Sequence, residues 1–130
     1  MRRFDLATFL HHIHDYEVAE VPIVPTMVVS ILKSQHKIHK LLRPLRTVWC
    51  AGSPLPQLTQ NDFYRLLRPN ARLLQTYGMT EAGWVSTFLW PEKDHSGSVG
   101  RILPGLEARF VARLVLLLLY LSRLQIGISW

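Results

Sequence analysis

Along residues 4–15 the apolar side chains Leu6, Phe9, Leu10 and Ile13 recur at helical spacing, and Asp5 stands where it would cap the first turn. The opposite face of that helix carries His11, His12, His14 and Asp15. His11 and Asp15 are four apart, as two metal ligands on one helix face would be, but no third ligand lies close by in sequence. A solvated polar face is the better account. Residues 18–24 are rich in β-branched side chains and contain Pro22, which puts this run at a sheet edge or strand end. Pro25 suits the first turn of a second helix, and Val28, Ile31 and Leu32 fall on one face of residues 26–34.

Residues 47–51, Thr-Val-Trp-Cys-Ala, are apolar on both faces, as a buried parallel strand should be. They run into a turn at residues 52–56 and then a helix from about 56 to 67. In that helix Thr59 and Asp62 resemble a capping box, and Phe63, Leu66 and Leu67 face inward. Pro69 and Asn70 stop it, and Arg72-Leu73-Leu74 begins another buried strand. Strand, helix, strand is a βαβ unit with parallel strands, so the fold class is α/β. The Gly52-Ser53-Pro54 turn and a turn at residues 77–81 must then share the carboxyl edge of one sheet, where open α/β sheets bind ligands. Beyond lie a strand at 84–90, a Gly/Ser loop at 94–100, a type II turn at Pro104-Gly105 and a strand at 106–111.

Residues 114–121 are eight consecutive apolar positions. As a helix they would reach roughly 12 Å against a hydrocarbon core of about 30 Å, so they form an adhesive tail and no transmembrane span. An edge left open beside the predicted strands, together with this tail, predicts poor solubility.

The chain has 130 residues, 48% of them apolar, and four Trp, which is the composition of one modest globular domain. Its net charge is +6. Lys33, Lys37, Lys40, Arg43 and Arg46 share one acid-free stretch with His36 and His39. No aromatic interleaves them, so the run reads as a solvated helix end and loop, and no nucleic-acid partner is expected. Cys50 is the single cysteine and allows no intramolecular disulfide. Residues 1–5 lack the apolar core of a secretory signal, and an intracellular setting, cytoplasmic or peroxisomal, is expected.

Candidate chemistry concentrates after the Leu73-Leu74 strand. Tyr77 offers an aromatic face, Thr80 a hydroxyl and Glu81 a carboxylate of the kind that holds Mg²⁺ beside substrate phosphates. Each has a plainer reading: Tyr77 as core, Thr80 as a helix N-cap, Glu81 as a helix-start carboxylate. Together at the mouth of a βαβ cleft they favour a polar ligand.

The nine residues Gln75-Thr76-Tyr77-Gly78-Met79-Thr80-Glu81-Ala82-Gly83 resemble the nucleotide-contacting signature of the adenylate-forming (AMP-binding) ligases, the acyl-CoA synthetase, 4-coumarate–CoA ligase and luciferase group. Residues 45–55, and Gly97 and Gly100 before Pro104-Gly105, are similar to two flanking motifs of that family. The resemblance implies that residues 3–111 are part of the large N-terminal adenylation domain of such an enzyme. It also implies a reaction, in which a carboxylic acid and ATP give an acyl-adenylate and the acyl group passes to coenzyme A. Tyr77 would stack on adenine, with Gly52, Ser53 and Pro54 on its other side and Gly78 close by. Gln75, Thr76, Gly78 and Met79 would border the acyl group, Thr80 would bind the α-phosphate, and Glu81 would hold Mg²⁺. ATP and Mg²⁺ are therefore the implied cofactors, and ATP/AMP, a carboxylic acid and coenzyme A the implied partners.

Departures from the pattern are Ala51, where the family usually has Gly, and three elements not found in these 130 residues. These are the phosphate loop ending in Pro-Lys-Gly, the ribose-binding Asp and the C-terminal catalytic Lys. This chain alone is accordingly expected not to catalyse adenylation, and a non-catalytic remnant acting as an interaction module is the alternative. After Val111 the resemblance stops. Residues 112–130 read as a tail foreign to the family, from a shifted frame, an unspliced intron or a truncation.

Overall fold

Asp5 accepts a hydrogen bond from the Thr8 amide at 2.7 Å through Oδ2, and so starts helix α1 (Leu6–Asp15) as its sequence foretold. Our computed structural model describes residues 4–34, 38–112 and 124–129. Strand β1 (Glu20–Ile23) follows, then α2 (Pro25–Lys33), whose proline occupies the first turn. A short helix α3 (Ile38–Leu41) leads into β2 (Thr47–Cys50), and α4 (Gln57–Tyr64) leads into β3 (Arg72–Gln75).

The three strands form a parallel sheet in the order β1-β2-β3, with Val21 beside Val48 and Val48 beside Leu73. Sequential parallel strands demand helical crossovers, and equal handedness puts both crossovers on one face. In agreement, α2 packs against α4. All four residues of β3 are buried, which is why its sequence does not alternate. Val28, Ile31, Leu42, Leu45, Val48, Phe63 and Leu73 form the centre of the core.

The stretch read as a solvated loop contains α3. Ile38, Leu42 and Leu45 turn inward among the cations, and their burial fixes this helix. The capping box at Thr59 and Asp62 does not form. Pro56 occupies the N-cap with φ −58°, so α4 starts at Gln57 and Thr59 already lies inside it. Asp62 pairs instead with Arg65 at 2.9 Å.

After β3 the chain leaves the parallel sheet. Strands β4 (Tyr77–Met79), β5 (Gly83–Thr87) and β6 (Arg101–Ile102) make a small antiparallel sheet in that order. Residues 77–79 are therefore strand where a turn was expected, and residues 80–82 are the hairpin loop. No helix starts there, so neither the N-cap reading of Thr80 nor the helix-start reading of Glu81 applies. Gly78 explains the departure. A Cβ there would lie 2.6 Å from the Gly83 carbonyl oxygen, so only glycine lets β5 come this close at the bulge between Tyr77 and Gly78. Farther on, the Leu106 amide donates to the Leu103 carbonyl across Pro104-Gly105, with Gly105 at φ +84°, as a type II turn requires. Strand β7 (Glu107–Ala112) then pairs antiparallel with β8 (Leu124–Ser129). The apolar run at 114–121 lies outside the described residues.

Both edges of the parallel sheet are blunted. Val21 and Ile23 direct their backbone polar groups towards β2, so Pro22 points outward and offers no donor on the open side of β1. On β3 the outward amide and carbonyl of Leu73 are both taken by the Tyr64 hydroxyl, at 3.2 and 2.9 Å. Segment 90–95 returns along the same side. The Arg72 guanidinium lies 4.3 Å from the Trp90 ring centroid and donates to the Glu92 carbonyl.

Candidate nucleotide and acyl site

Strands β1, β2 and β3 end together at Ile23, Cys50 and Gln75. Two backbone bonds hold this carboxyl edge: the Ala51 amide to the Ile23 carbonyl at 3.2 Å and the Thr76 amide to the Cys50 carbonyl at 2.9 Å. Against it sits an open cleft of about 360 Å³, lined by Ala51, Thr76, Met79, Thr80 and Trp84 and by the bare backbones of Gly78 and Gly83. The lining agrees with the expected placement of a cleft at this edge.

Thr76, Gly78, Met79 and Thr80 are thus brought together from the sequence-derived set. Gly52, Ser53 and Pro54 are exposed on the adjoining turn, Tyr77 is half-buried, and Glu81 is exposed at the hairpin tip beside Thr80. The hairpin loop is closed by the Ala82 amide on the Met79 carbonyl at 3.2 Å. Among the described residues neither the Thr80 hydroxyl nor the Glu81 carboxylate makes a hydrogen bond within the chain. Both remain available to a ligand.

Gln75 stands apart. Its amide is buried and does not line the cleft. It accepts from the Leu55 amide at 2.8 Å and donates to the Leu55 carbonyl at 3.1 Å and to Gln60 Oε1 at 3.0 Å. Through these bonds β3 clamps the 52–56 turn. Gln60 in turn donates to Asp94 Oδ2 at 2.8 Å. Asp94 also accepts from the Ser96 amide and hydroxyl, both at 2.7 Å, and from the Gly97 amide. Burial pushes the Asp94 carboxyl up, but the hydrogen bonds from Ser96, Gln60 and Gly97 outweigh it and hold the group below the usual carboxylate range. A chain of contacts therefore links the Gly/Ser loop, α4, β3 and the small-residue turn. Sequence reasoning passed over Gln60 and Asp94. Asp94-x-Ser96-Gly97 carries an Asx-turn signal, whereas nothing in sequence marks a glutamine on the buried side of a helix.

Trp84 was also passed over as a site residue. It faces Trp49 of β2, ring centroids 5.3 Å apart, and so ties the small sheet to the large one. Cys50, buried under the same edge, has its thiol pushed up to about 11 by desolvation, which keeps it in the unreactive thiol form. His11 and Asp15 do not come together as ligands. His11 bonds the Ala7 carbonyl, and Asp15 meets His14.

Residues 1–114 match the AMP-binding enzyme family. The chain belongs to that family. Among curated relatives it is 38% identical over 114 residues to a phenylacetyl-CoA ligase of Aspergillus niger, covering 85% of this chain and 21% of that one. With an acyl-CoA ligase of Cochliobolus lunatus it shares 40% identity over 114 residues, covering 84% of this chain and 33% of the relative. The chain thus spans about a fifth to a third of the length of such relatives. Its fold is similar to that of the luciferase-like enzyme of the mealworm Zophobas morio, with TM-score 0.72, 24% identity, and 85% and 27% of the two chains covered. It is also similar to the O-succinylbenzoate coenzyme A synthetase of Bacillus subtilis solved with ATP and magnesium, with TM-score 0.67, 23% identity, and 99% and 26% covered. The architecture is a segment of the large N-terminal domain of this AMP-binding ligase family.

Proposed function

We propose that this chain supplies one wall of the active site of an acid–CoA ligase, the wall that meets the adenine, the α-phosphate and the acyl group. The observation that carries the reading is the carboxyl-edge cleft, where Thr76, Gly78, Met79 and Thr80 converge on Ala51. Tyr77 supplies a planar face for the base, with Gly52, Ser53 and Pro54 opposite. Thr80 directs a hydroxyl at the α-phosphate. The glycine backbones at 78 and 83 leave room for the acyl group between Thr76, Met79 and Trp84. Gln75 acts behind this surface by holding the small-residue turn.

The residues present fit Mg²⁺. This cation keeps most of its waters and is held by one or two carboxylates plus substrate phosphate oxygens. A single exposed carboxylate next to a phosphate-facing hydroxyl, Glu81 beside Thr80, is such a donor set. Among the described residues no group of three metal-ligating side chains competes with it. When bound, Mg²⁺ would neutralise phosphate charge as the carboxylate of the acid displaces pyrophosphate. Coenzyme A would then take the acyl group.

Trp84 lines the cleft, so the part of the tryptophan fluorescence that is lost in Trp84→Phe reports on occupancy. ATP added with Mg²⁺ is expected to quench it, and Glu81→Gln to weaken that binding by about tenfold or more while leaving Mg²⁺-free binding unchanged. Equal ATP affinity with and without Mg²⁺, or no binding at all, would overturn the reading and favour a non-catalytic interaction module.

A further inference from the structure

The opposite, amino edge of the parallel sheet holds a second concavity, of about 430 Å³. It is lined by Lys40 of α3, Arg43 and Arg46 of the turn before β2, Arg68 of the turn before β3, and His14 and Glu17 at the end of α1. The four permanent cations come from two stretches of the chain, residues 40–46 and Arg68, and His14 comes from a third. The sheet brings them together, because the segments entering β1, β2 and β3 must all gather at this edge. Their anchoring is firm: the Arg46 and Thr47 amides both donate to the Ala19 carbonyl, at 2.7 and 3.1 Å, and the Arg72 amide donates to the Arg46 carbonyl at 2.9 Å.

Charge balance within the chain does not account for them. All nine Asp and Glu side chains lie in described residues, yet the ion pairs among those residues are His14–Asp15, Arg65–Asp62 and Arg101–Glu92. None involves Lys40, Arg43, Arg46 or Arg68. Helix C-termini also favour cations, but each offers only about half an elementary charge and acts within its last turn. Arg43, Arg46 and Arg68 all lie beyond such a turn. Glu17, at φ 50°, brings one negative charge to a cavity ringed by four permanent positive ones.

We propose that this cleft is a binding site for a compact polyphosphate anion, separate from the nucleotide cleft at the other end of the sheet. Three guanidinium groups present flat forks that match phosphate oxygens, with Lys40 as an added point charge. The cavity lies within the range of small-ligand pockets and is too confined for extended backbone tracking. The absence of aromatic side chains from its lining also argues against single-stranded nucleic acid.

The test is calorimetric titration of the full chain with inorganic tripolyphosphate, at about 0.15 M salt to suppress long-range attraction. EDTA removes any Mg²⁺-dependent contribution from the nucleotide cleft. Exchanging Arg43→Gln with Arg68→Gln is expected to raise Kd by at least about tenfold, since each loses a charge-assisted contact. The charge-matched control Arg101→Gln with Arg109→Gln should leave Kd within about twofold, because those residues lie outside the cleft and the Glu92 partner of Arg101 does too. Thr80→Ala should leave it unchanged. Absence of binding by the parent chain, or equal losses in both double variants, would overturn the proposal. So would loss of binding in Thr80→Ala. Displacement by duplex DNA at equal phosphate concentration would replace it with a diffuse nucleic-acid surface.

Discussion

Asp94 shows how much one buried carboxylate can hold together. Its oxygens accept from Gln60, from the amide and hydroxyl of Ser96 and from the Gly97 amide, and with the Gln57 bond to the His95 carbonyl they tie the Gly/Ser loop to α4. Asp94→Asn is expected to cost about 1–3 kcal/mol at neutral pH by weakening these charge-assisted bonds, measured by urea unfolding. Because the folded carboxyl is held below its usual value of 3.8, its contribution is fully present above that pH and is lost as pH falls through the lower folded value. The gap between parent and variant should therefore close in acid below about pH 3.8; a gap that stays constant would show that the charge is not what matters. Gly78 makes a sharper demand, since its absent side chain would collide with backbone. Gly78→Ala should cost roughly 1–3 kcal/mol and distort the hairpin that presents Thr80 and Glu81. Unaltered urea stability together with unaltered ATP binding would contradict this. Asp94 was half legible through its Asx-turn spacing. Gly78 was legible as a special glycine, although the reason turned out to be a neighbouring strand and no tight turn.

Elements whose burial pattern is strong read correctly from sequence. Leu6, Phe9, Leu10 and Ile13 with Asp5 gave α1, and the largely apolar, non-alternating runs at 47–50 and 72–74 gave the two buried strands. Failures occurred where an element is shorter than its own period. Four residues of α3 make little more than one turn, and their apolar partners Leu42 and Leu45 lie beyond the helix among cations. Three residues of β4, one of them glycine, are too few for their alternation to stand out in sequence. The pseudo-capping box at Thr59 failed because Pro56 had already fixed the start of α4, a local backbone constraint stronger than a side-chain spacing. Tyr64 belongs to this scale too, because it joins the end of α4 to the flank of β3. Tyr64→Phe would leave the Leu73 amide and carbonyl without their partner and should cost about 1–3 kcal/mol. Faster amide hydrogen exchange at Leu73 would locate the loss there, and unchanged exchange would show that Tyr64 does not guard this strand.

Across the described residues, the polarity of the parallel sheet separates two clefts. Its carboxyl edge carries small residues, bare backbone and the Glu81 carboxylate, while its amino edge carries cations that make no ion pair among the described residues. That separation was half visible beforehand. A βαβ reading forces the small-residue turns to one edge, and the same logic forces Arg46 and Arg68 to the other. From sequence alone Arg46 reads as part of a solvated run with Lys40 and Arg43, its near neighbours in the chain, whereas Arg68 and His14 join them only through the fold. What remained illegible was set by long-range contact: Gln75 on Leu55, Trp84 on Trp49, and the hydroxyl of Tyr64 on β3. The last of these bears on how this chain meets other proteins. With Pro22 facing out from β1 and Leu73 already engaged on β3, each flank offers an incoming strand fewer partners than a regular edge, which disfavours stacking of such chains side by side into a growing ribbon through this sheet.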